Sequence, residues 1–385
     1  MSKTLRNKSI WLSGEFDKPL VTASYFGFVP IETPKISKQD LEIAEEYGRH
    51  PHYDAAESSA LIRTYIDQGL SAEPHPLSIS YKRVSPGRGR DKYSLHFIGS
   101  DQGVADATLI RGALSILDDL GRKHLVVDMN SIGDRDSLNA YERELHTYVR
   151  KFASEIPDEV REEIKKDVFN LFNIKNPSIE AIRNSIPPSI SFLTPSSRNH
   201  LKEVLEYIEA LNIDFRLSSQ LVGNKHYCSH TIFAIKDTSE EERVLAVGYH
   251  YSKLARRLGL RKDIPMAGVT IFNEPTKETP SHLRVYKDLP KSKFCLIHLG
   301  TNAKMQSLSL LENLRREHIR VHHLLGKDKI AVQISNAECL PVSHLILIGQ
   351  KEALEKTATV RNVSTRAQNT VPLNELALYL KTISS

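Results

Sequence analysis

Residues 211–235, LNIDFRLSSQLVGNKHYCSHTIFAI, mark the point at which the sequence returns from helical to strand-like patterning. Strand-like runs follow this stretch, and runs of the same kind fill the first third of the chain. Between the two, apolar residues recur at the spacing of one helix face. We therefore predict one sheet whose two parts, residues 1–133 and 213–274, are separated by a helical insertion at residues 134–212.

A hairpin is predicted in the first part of the sheet. Residues 77–84, LSISYKRV, alternate apolar and polar side chains as a strand with one buried face does, and residues 93–99 supply the partner strand. Residues 85–90, SPGRGR, form a flexible, basic connection. Residues 26–34, FGFVPIETP, indicate a helix end followed by an extended segment, since each proline pushes its predecessor out of the α region.

The last part of the chain is organised differently. Residues 275–292 are polar and contain prolines, and we interpret them as a linker. Over residues 293–385, strands alternate with helices, which predicts a small α/β domain with a mixed sheet. The predicted fold class is therefore α+β.

The composition is that of a soluble globular protein with a mildly basic surface. The 385 residues carry a net charge of +5, which permits a nucleic-acid partner without requiring one. Cys228, Cys295 and Cys339 are widely spaced, which argues for a reducing compartment and against disulfides. No stretch has metal-ligand spacing, a signal peptide or a membrane span, so we predict a cytoplasmic protein without a metal site.

Residues 211–235 resemble the histidine-specific signature of the histidyl-tRNA synthetase family, a class II aminoacyl-tRNA synthetase group. The family pattern reads LVRGLDYYTGTVFEI. Its apolar frame is kept at Leu221, Val222, Tyr227, Thr231, Ile232, Phe233 and Ile235. Residues 126–134, VVDMNSIGD, and 173–177, NIKNP, resemble two further family segments. The likeness runs from about residue 20 to the end. It implies a class II antiparallel-sheet core with a helical insertion, followed by an anticodon-binding-type α/β domain.

In this register, the positions that carry the family's chemistry hold other residues. Ser80, Gly223 and Pro275 stand where the family has arginines that act on ATP phosphates or in catalysis. Lys82 replaces a glutamate that reads adenine, and His226 replaces an aspartate. Losing one such donor costs about 10²- to 10³-fold in rate. The resemblance therefore implies a protein that lacks aminoacylation activity and needs no cofactor.

Other positions keep the family's character only in part. A residual pocket is implied by the retained residues Glu57, Arg63, Tyr227 and Glu274. Phe272 replaces a glycine, which predicts a ring in the nucleotide space. The family's GGRYD segment becomes GYHYS at residues 248–252.

Basic residues in two places are candidates for contacts with RNA or nucleotide phosphate. They are Arg83, Arg88 and Arg90 near the predicted hairpin, and Arg315, Arg316, Lys329 and Arg361 in the C-terminal domain. Residues 26–34 resemble motif 1 of class II synthetases, and their apolar composition predicts that they form a homodimer interface.

Three functional hypotheses follow from the resemblance. The first is a histidyl-tRNA synthetase-like protein without aminoacylation activity that binds tRNA or regulates another protein. The second is a divergent, active histidine–tRNA ligase that uses ATP and Mg²⁺. It would need cations from elsewhere, for which Arg83, Arg88, Arg90, Lys225 and Arg256 are the candidates. The third is a protein-interaction subunit without RNA binding.

Overall fold

The computed structural model describes residues 10–48, 52–85, 91–239, 242–260, 264–273 and 283–384. A large sheet organises the N-terminal part and a smaller sheet the C-terminal part. A short antiparallel pair, β1 (Phe16–Asp17) with β10 (Val285–Tyr286), links the beginning of the chain to the segment between them. Among the described residues, no helix is both long and apolar enough to cross a bilayer.

The large sheet has eight strands and is mainly antiparallel. Its strands are β2 (Val29–Pro30), β3 (Leu77–Arg83), β4 (Asp91–Ile98), β5 (Leu125–Gly133), β6 (Phe215–Leu217), β7 (Ser229–Asp237), β8 (Arg243–His250) and β9 (Met266–Asn273). In space they follow the order β2-β3-β4-β9-β8-β7-β5-β6. The strands before and after the helical part therefore share one sheet, which confirms the predicted antiparallel core.

Nine helices accompany this sheet within the described residues. They are α1 (Lys18–Tyr25), α2 (Lys38–Glu46), α3 (Ala55–Asp67), α4 (Gly103–Asp119), α5 (Arg135–Lys151), α6 (Asp158–Lys166), α7 (Pro177–Asn184), α8 (Pro195–Ala210) and α9 (Ser252–Arg257). The insertion starts at Asp134, whose carboxylate accepts a hydrogen bond from the backbone N–H of Ser137 at the beginning of α5 (2.9 Å). Leu138, Tyr141 and Leu145 are buried because they recur on one face of α5.

The two faces of the large sheet pack against different helices. One face, which we call the α4 face, packs against α1, α4 and α8, and the side chains of Leu95 and Val269 point to it. The opposite face, which we call the α3 face, packs against α3 and α5, and the side chains of Tyr81 and Tyr249 point to it. Since successive side chains of a strand point to opposite faces, the strand position decides which core a residue joins.

The C-terminal domain has a mixed sheet with helices, as predicted. Its strands are β11 (Phe294–His298), β12 (Val321–His323), β13 (His344–Ile348), β14 (Thr357–Asn362) and β15 (Gln368–Pro372), in the order β12-β11-β13-β14-β15. Its helices are α10 (Thr301–Arg316), α11 (Ile330–Glu338), α12 (Gln350–Glu355) and α13 (Leu376–Ser384). Glu312 of α10 joins this domain to α4, since its carboxylate accepts a hydrogen bond from Ser115 (3.1 Å) and lies 3.8 Å from Arg111.

The apolar side chains of residues 26–34 lie inside one chain. Phe26 and Phe28 are fully buried in the core beside α4, and Ile31 is buried as well. The apolar composition of this segment therefore reflects, at least for Phe26, Phe28 and Ile31, the core of a single chain. A homodimer stays a prediction.

Candidate functional site

Strand alternation decides which residues of β3 face the candidate site. Ser80 pairs across the ladder with Leu95 of the α4-face core, and the Lys82 ammonium contacts the Asp17 carboxylate (3.1 Å). Tyr81, which lies between them, points to the α3 face. Ser80 and Lys82 therefore both lie on the α4 side of the sheet, and the roles that the resemblance implies for these two positions stay predictions.

Aromatic side chains fill the centre of the α3 face. The members of this aromatic cluster are Tyr53, Tyr81, His96, Tyr227, Tyr249 and Tyr251, all of them buried. Tyr249 packs against three of the other rings, with centroid distances of 5.2 Å to Tyr53 and 5.9 Å to Tyr227 and to Tyr251. Tyr81 stacks on His96 at 5.5 Å with an interplanar angle of 14°. Packed rings therefore fill the centre of the α3 face.

His96 joins the cluster as a neutral imidazole. Its Nδ1 lies 2.9 Å from the Tyr251 hydroxyl, which makes a hydrogen bond. Burial lowers the pKa of His96 to about 3, because the charged form would lose its hydration. At neutral pH this position offers no positive charge to a phosphate.

The cations beside the cluster are paired with carboxylates of the chain. Glu57, on α3, is only 3% exposed. Its carboxylate accepts hydrogen bonds from Arg83 Nε (3.1 Å) and Lys92 Nζ (3.4 Å). Arg83 also donates to the Pro34 carbonyl (2.8 Å), and Lys92 also contacts Asp54 (3.3 Å). A phosphate at this place would have to compete with Glu57 for both cations.

The signature segment leaves no room for a side chain at Gly223. A Cβ atom built there would lie 2.8 Å from Cys228 Sγ and 2.9 Å from Ile232 Cδ1, closer than packed atoms allow. His226 is exposed and stacks on Tyr47, with 5.5 Å between ring centroids. Tyr227 is buried in the aromatic cluster. The arginine position of the family is therefore filled by the chain's own core.

A cavity of about 280 Å³ lies beside the aromatic cluster. Lys92, Thr270 and Phe272 line it from the sheet, and His52 and Tyr53 line it from the segment before α3. The Phe272 ring lies 6.1 Å from the His52 ring. Pockets for drug-sized ligands usually measure roughly 300–1,000 Å³, so this cavity is small for a nucleotide.

The chain resembles known proteins over most of its length. Residues 293–383 match the anticodon binding domain family. The histidine–tRNA ligase of Thermosynechococcus vestitus is 27% identical over 334 residues, 83% of this chain and 76% of that protein. That of Geobacillus thermodenitrificans is 26% identical over 364 residues, 91% and 85% of the two chains. The chain is similar to histidine–tRNA ligases over most of its length.

The fold agrees with this similarity. The crystal structure of apo S. aureus histidyl-tRNA synthetase aligns with a TM-score of 0.51 and 21% identity, over 93% of this chain and 92% of that chain. The fold predicted from the sequence is thus that of a class II histidyl-tRNA synthetase, with an antiparallel-sheet core, helices and a C-terminal anticodon-binding domain.

The residual pocket predicted from the resemblance stays a prediction. The Arg63 guanidinium pairs with Asp40 of α2 (2.7 Å) and donates to the Lys35 carbonyl (2.5 Å). Glu57 pairs with Arg83, and Tyr227 is buried in the core of the α3 face. Four further predicted positions, Glu274, Pro275, Arg88 and Arg90, lie outside the described residues.

The predicted phosphate contacts of the anticodon-binding domain fall into two groups. Arg315 and Arg316 both donate to the Glu312 carboxylate, each at 2.9 Å, beside the junction with α4. Lys329 is exposed at the beginning of α11, and Arg361 is half-buried on β14. Phosphate could reach Lys329 and Arg361 without breaking an ion pair observed among the described residues.

A histidine cluster, with His250 buried and His200 and His230 half-buried, lies behind the aromatic cluster, where β8 directs His250 away from its tyrosine neighbours. His250 Nε2 lies 2.7 Å from Asp106 Oδ1, and His200 Nε2 lies 3.3 Å from Asp106 Oδ2. The rings of His200, His230 and His250 form a triangle with centroid distances of 5.4 to 5.6 Å. No local pattern in the sequence marks this cluster, because α4, α8, β7 and β8 each contribute one residue.

Electrostatics in the histidine cluster follow from its burial. Burial works against the Asp106 carboxylate, but the adjacent His250 and His200 outweigh this effect and hold the pKa of Asp106 well below its usual range. Burial, with His250 and His200 nearby, lowers the pKa of His230 to about 4. His230 is therefore a neutral imidazole at neutral pH.

Proposed function

We propose that this protein is a histidyl-tRNA synthetase-like tRNA-binding protein that does not activate histidine. The observation that carries the proposal is the closed α3 face, where Tyr81, Tyr249 and Tyr251 are buried and Arg83 is paired with Glu57. Activation of an amino acid joins a carboxylate to a triphosphate, so several anionic groups must be held together. The described residues of this face offer paired cations and packed rings instead.

The rate contribution of an arginine that contacts the reacting phosphate is large, so its absence supports loss of activity rather than a modest change. One charged donor aimed at a reacting phosphate is worth about 10²- to 10³-fold in rate. Gly223 offers no such donor, and its surroundings exclude one. Recruiting Arg83 instead would leave the buried Glu57 with Lys92 alone, and removing one partner of a buried ion pair costs roughly 3–5 kcal/mol.

Binding of tRNA is supported by the C-terminal domain. The family match over residues 293–383 is to an anticodon binding domain, and the relatives named above are tRNA ligases. Exposed Lys329 and half-buried Arg361 supply charge on this domain. Contacts with phosphate provide most of the affinity of such surfaces, and unstacked bases are read by side chains. We also propose that the protein works in the cytoplasm as a homodimer, for which light scattering should give twice the 43.5 kDa chain mass.

An active histidine–tRNA ligase is the second candidate. The names of the relatives favour it, as does the cavity that Lys92 lines beside the aromatic cluster. Regulation of another protein without RNA binding is the third candidate. It would assign no role to the basic residues of the C-terminal domain, which makes it the weakest of the three.

Two binding measurements distinguish these candidates. Gel shifts with total tRNA should give a complex that weakens steeply with salt, and calorimetry with ATP and histidine should give no heat of binding. Binding of ATP and histidine together would favour the active ligase. Absence of any tRNA complex at low salt would favour the protein-interaction candidate. An active histidine–tRNA ligase serves as the matched control in both measurements.

A further inference from the structure

We propose that Asp106, His200 and His250 bind one divalent transition-metal ion of the zinc class. One carboxylate oxygen and two imidazole nitrogens, one from each residue, all lie within 4.8 Å of one another. This site is separate from the aromatic cluster, and its existence does not depend on whether the protein activates histidine.

The ligand set suits zinc chemically. Zinc accepts imidazole nitrogens and carboxylate oxygens at roughly 2.0–2.2 Å in tetrahedral sites, which places ligand atoms about 3.3–3.6 Å apart. His200 Nε2 and Asp106 Oδ2 already lie 3.3 Å apart. His250 Nε2 and Asp106 Oδ1 lie at 2.7 Å, so small side-chain rotations would admit the ion between them.

Polar atoms with incomplete contacts converge at this place. Asp106 Oδ2 and His200 Nε2 are buried and face each other at 3.3 Å, and the buried His230 Nδ1 has no hydrogen-bond partner among the described residues. The side chains of Asp106 and His250 are 1% and 4% exposed. Buried polar atoms are nearly always satisfied in folded proteins, so the His230 atom requires an explanation. A cation bound between Asp106 and His200 would replace their direct contact by bonds from both atoms to the ion.

The backbone of His230, which lies beside the three proposed ligands, adopts an energetically unfavourable conformation. His230 has φ of 51°, in the left-handed region, next to the irregular pairing of β7 with β5. Such a conformation costs a non-glycine residue about 1–2 kcal/mol, and strain of this kind concentrates at functional sites.

A cavity of about 590 Å³ gives access to the proposed ion. His200, His230 and His250 line it together with Arg135 and Asp134. Three protein ligands would leave a fourth zinc position open, and the two histidine ligands line the cavity together with His230. Zinc sites with an open position bind water or a substrate group, whereas purely structural sites are closed by four protein ligands.

The competing interpretation is an internal ion pair without metal. In that case Asp106 would be neutralised by protons on His250 and His200 alone. The two interpretations differ in metal content, which can be measured on the intact chain without any assay of activity.

The test uses full-length protein without a polyhistidine tag, expressed with zinc and dialysed into metal-free buffer. Mass spectrometry of metals should give about one zinc per chain, the stoichiometry of a mononuclear site. Asp106→Asn and His250→Gln should each retain less than about a tenth of that amount, while the exposed-histidine control His226→Gln keeps it. Circular dichroism shows whether each variant is folded.

A second measurement covers variants that fail to fold. Metal-stripped wild-type protein should gain several degrees in Tm when zinc is added, because a ligand bound only by the native state stabilises it. Cobalt added instead should give the visible bands of a four-coordinate site. A wild-type chain with less than about a tenth of an equivalent of zinc and no zinc-dependent change in Tm would overturn the proposal. Full retention of zinc by folded His250→Gln would overturn it as well.

Discussion

The Arg83 guanidinium donates to the Glu57 carboxylate over 3.1 Å, so a cation at the candidate substrate space is neutralised inside the chain. Glu57 also holds Lys92, and the tyrosines beside this network are buried. These ion pairs stabilise the α3 face. They also engage the two cations, Arg83 and Lys92, that a nucleotide phosphate would need there.

Removal of the Arg83 side chain should lower the stability of the protein. We expect Arg83→Ala to reduce the free energy of unfolding by about 3–5 kcal/mol, because the buried Glu57 loses a partner. Urea denaturation measures the change. The control is Arg257→Ala, which breaks an ion pair with Glu46 whose two side chains are each 51% exposed. It should cost less than about 1 kcal/mol. Equal losses for both variants would contradict the account.

Substitution of Gly223 should show that the arginine position is closed. Gly223→Ala should lower the free energy of unfolding by about 1–3 kcal/mol, because its Cβ would overlap Cys228 and Ile232. In a Cys228→Ala background the loss should be smaller, since Sγ is then absent. Gly223→Arg should destabilise the protein further without producing histidine activation. A stable, active Gly223→Arg protein would show that the position is open.

The sequence predicted the elements well where local patterns decide them. The hairpin predicted at residues 77–84 and 93–99 is observed as Leu77–Arg83 and Asp91–Ile98, because alternation and a turn suffice to specify it. The polar strand Gln368–Pro372 was not predicted, since only Val371 of it is buried and no apolar pattern marks it. The helix Gln350–Glu355 was also missed; it is short, and only Ala353 is buried.

The candidate site was harder to predict because it depends on register and on distant contacts. Strand alternation places Tyr81 and Arg83 on the α3 face and Ser80 and Lys82 on the α4 face, and the helices that cover each face are distant in the sequence. The cluster of Asp106, His200 and His250 depends on contacts between elements far apart in the chain. No local spacing could have revealed it.

Acid should destabilise the protein partly through His96. Its folded pKa is about 3 and the ordinary value is 6.5, so the unfolded chain binds the proton first as the pH falls. This contribution to stability is complete above about pH 6.5 and falls by about 1.4 kcal/mol per pH unit between the two values. His96→Asn, which keeps an acceptor for Tyr251, should therefore show a shallower loss of stability between pH 6.5 and 5 in urea denaturation. Parallel pH profiles would exclude this role.

Salt dependence should reveal the phosphate contacts of the C-terminal domain. If Lys329 and Arg361 each contact a tRNA phosphate, each alanine variant should lower the slope of log K against log salt by about 0.7–0.9. Filter binding over a range of salt concentrations measures the slope. Lys165→Ala on α6 removes an exposed charge from the helical insertion and is the matched control. Identical slopes for wild type and both variants would place the RNA elsewhere.

Histidine-dependent ATP–pyrophosphate exchange tests the central claim most directly. The reaction reports amino-acid activation alone, so it is independent of tRNA binding, and an active histidine–tRNA ligase provides the positive control. Because Gly223 has no room for an arginine and Arg83 is held by Glu57, the account predicts no exchange above the background without histidine. Robust exchange by the wild-type protein that Arg83→Ala abolishes would contradict the account and establish a divergent, active ligase.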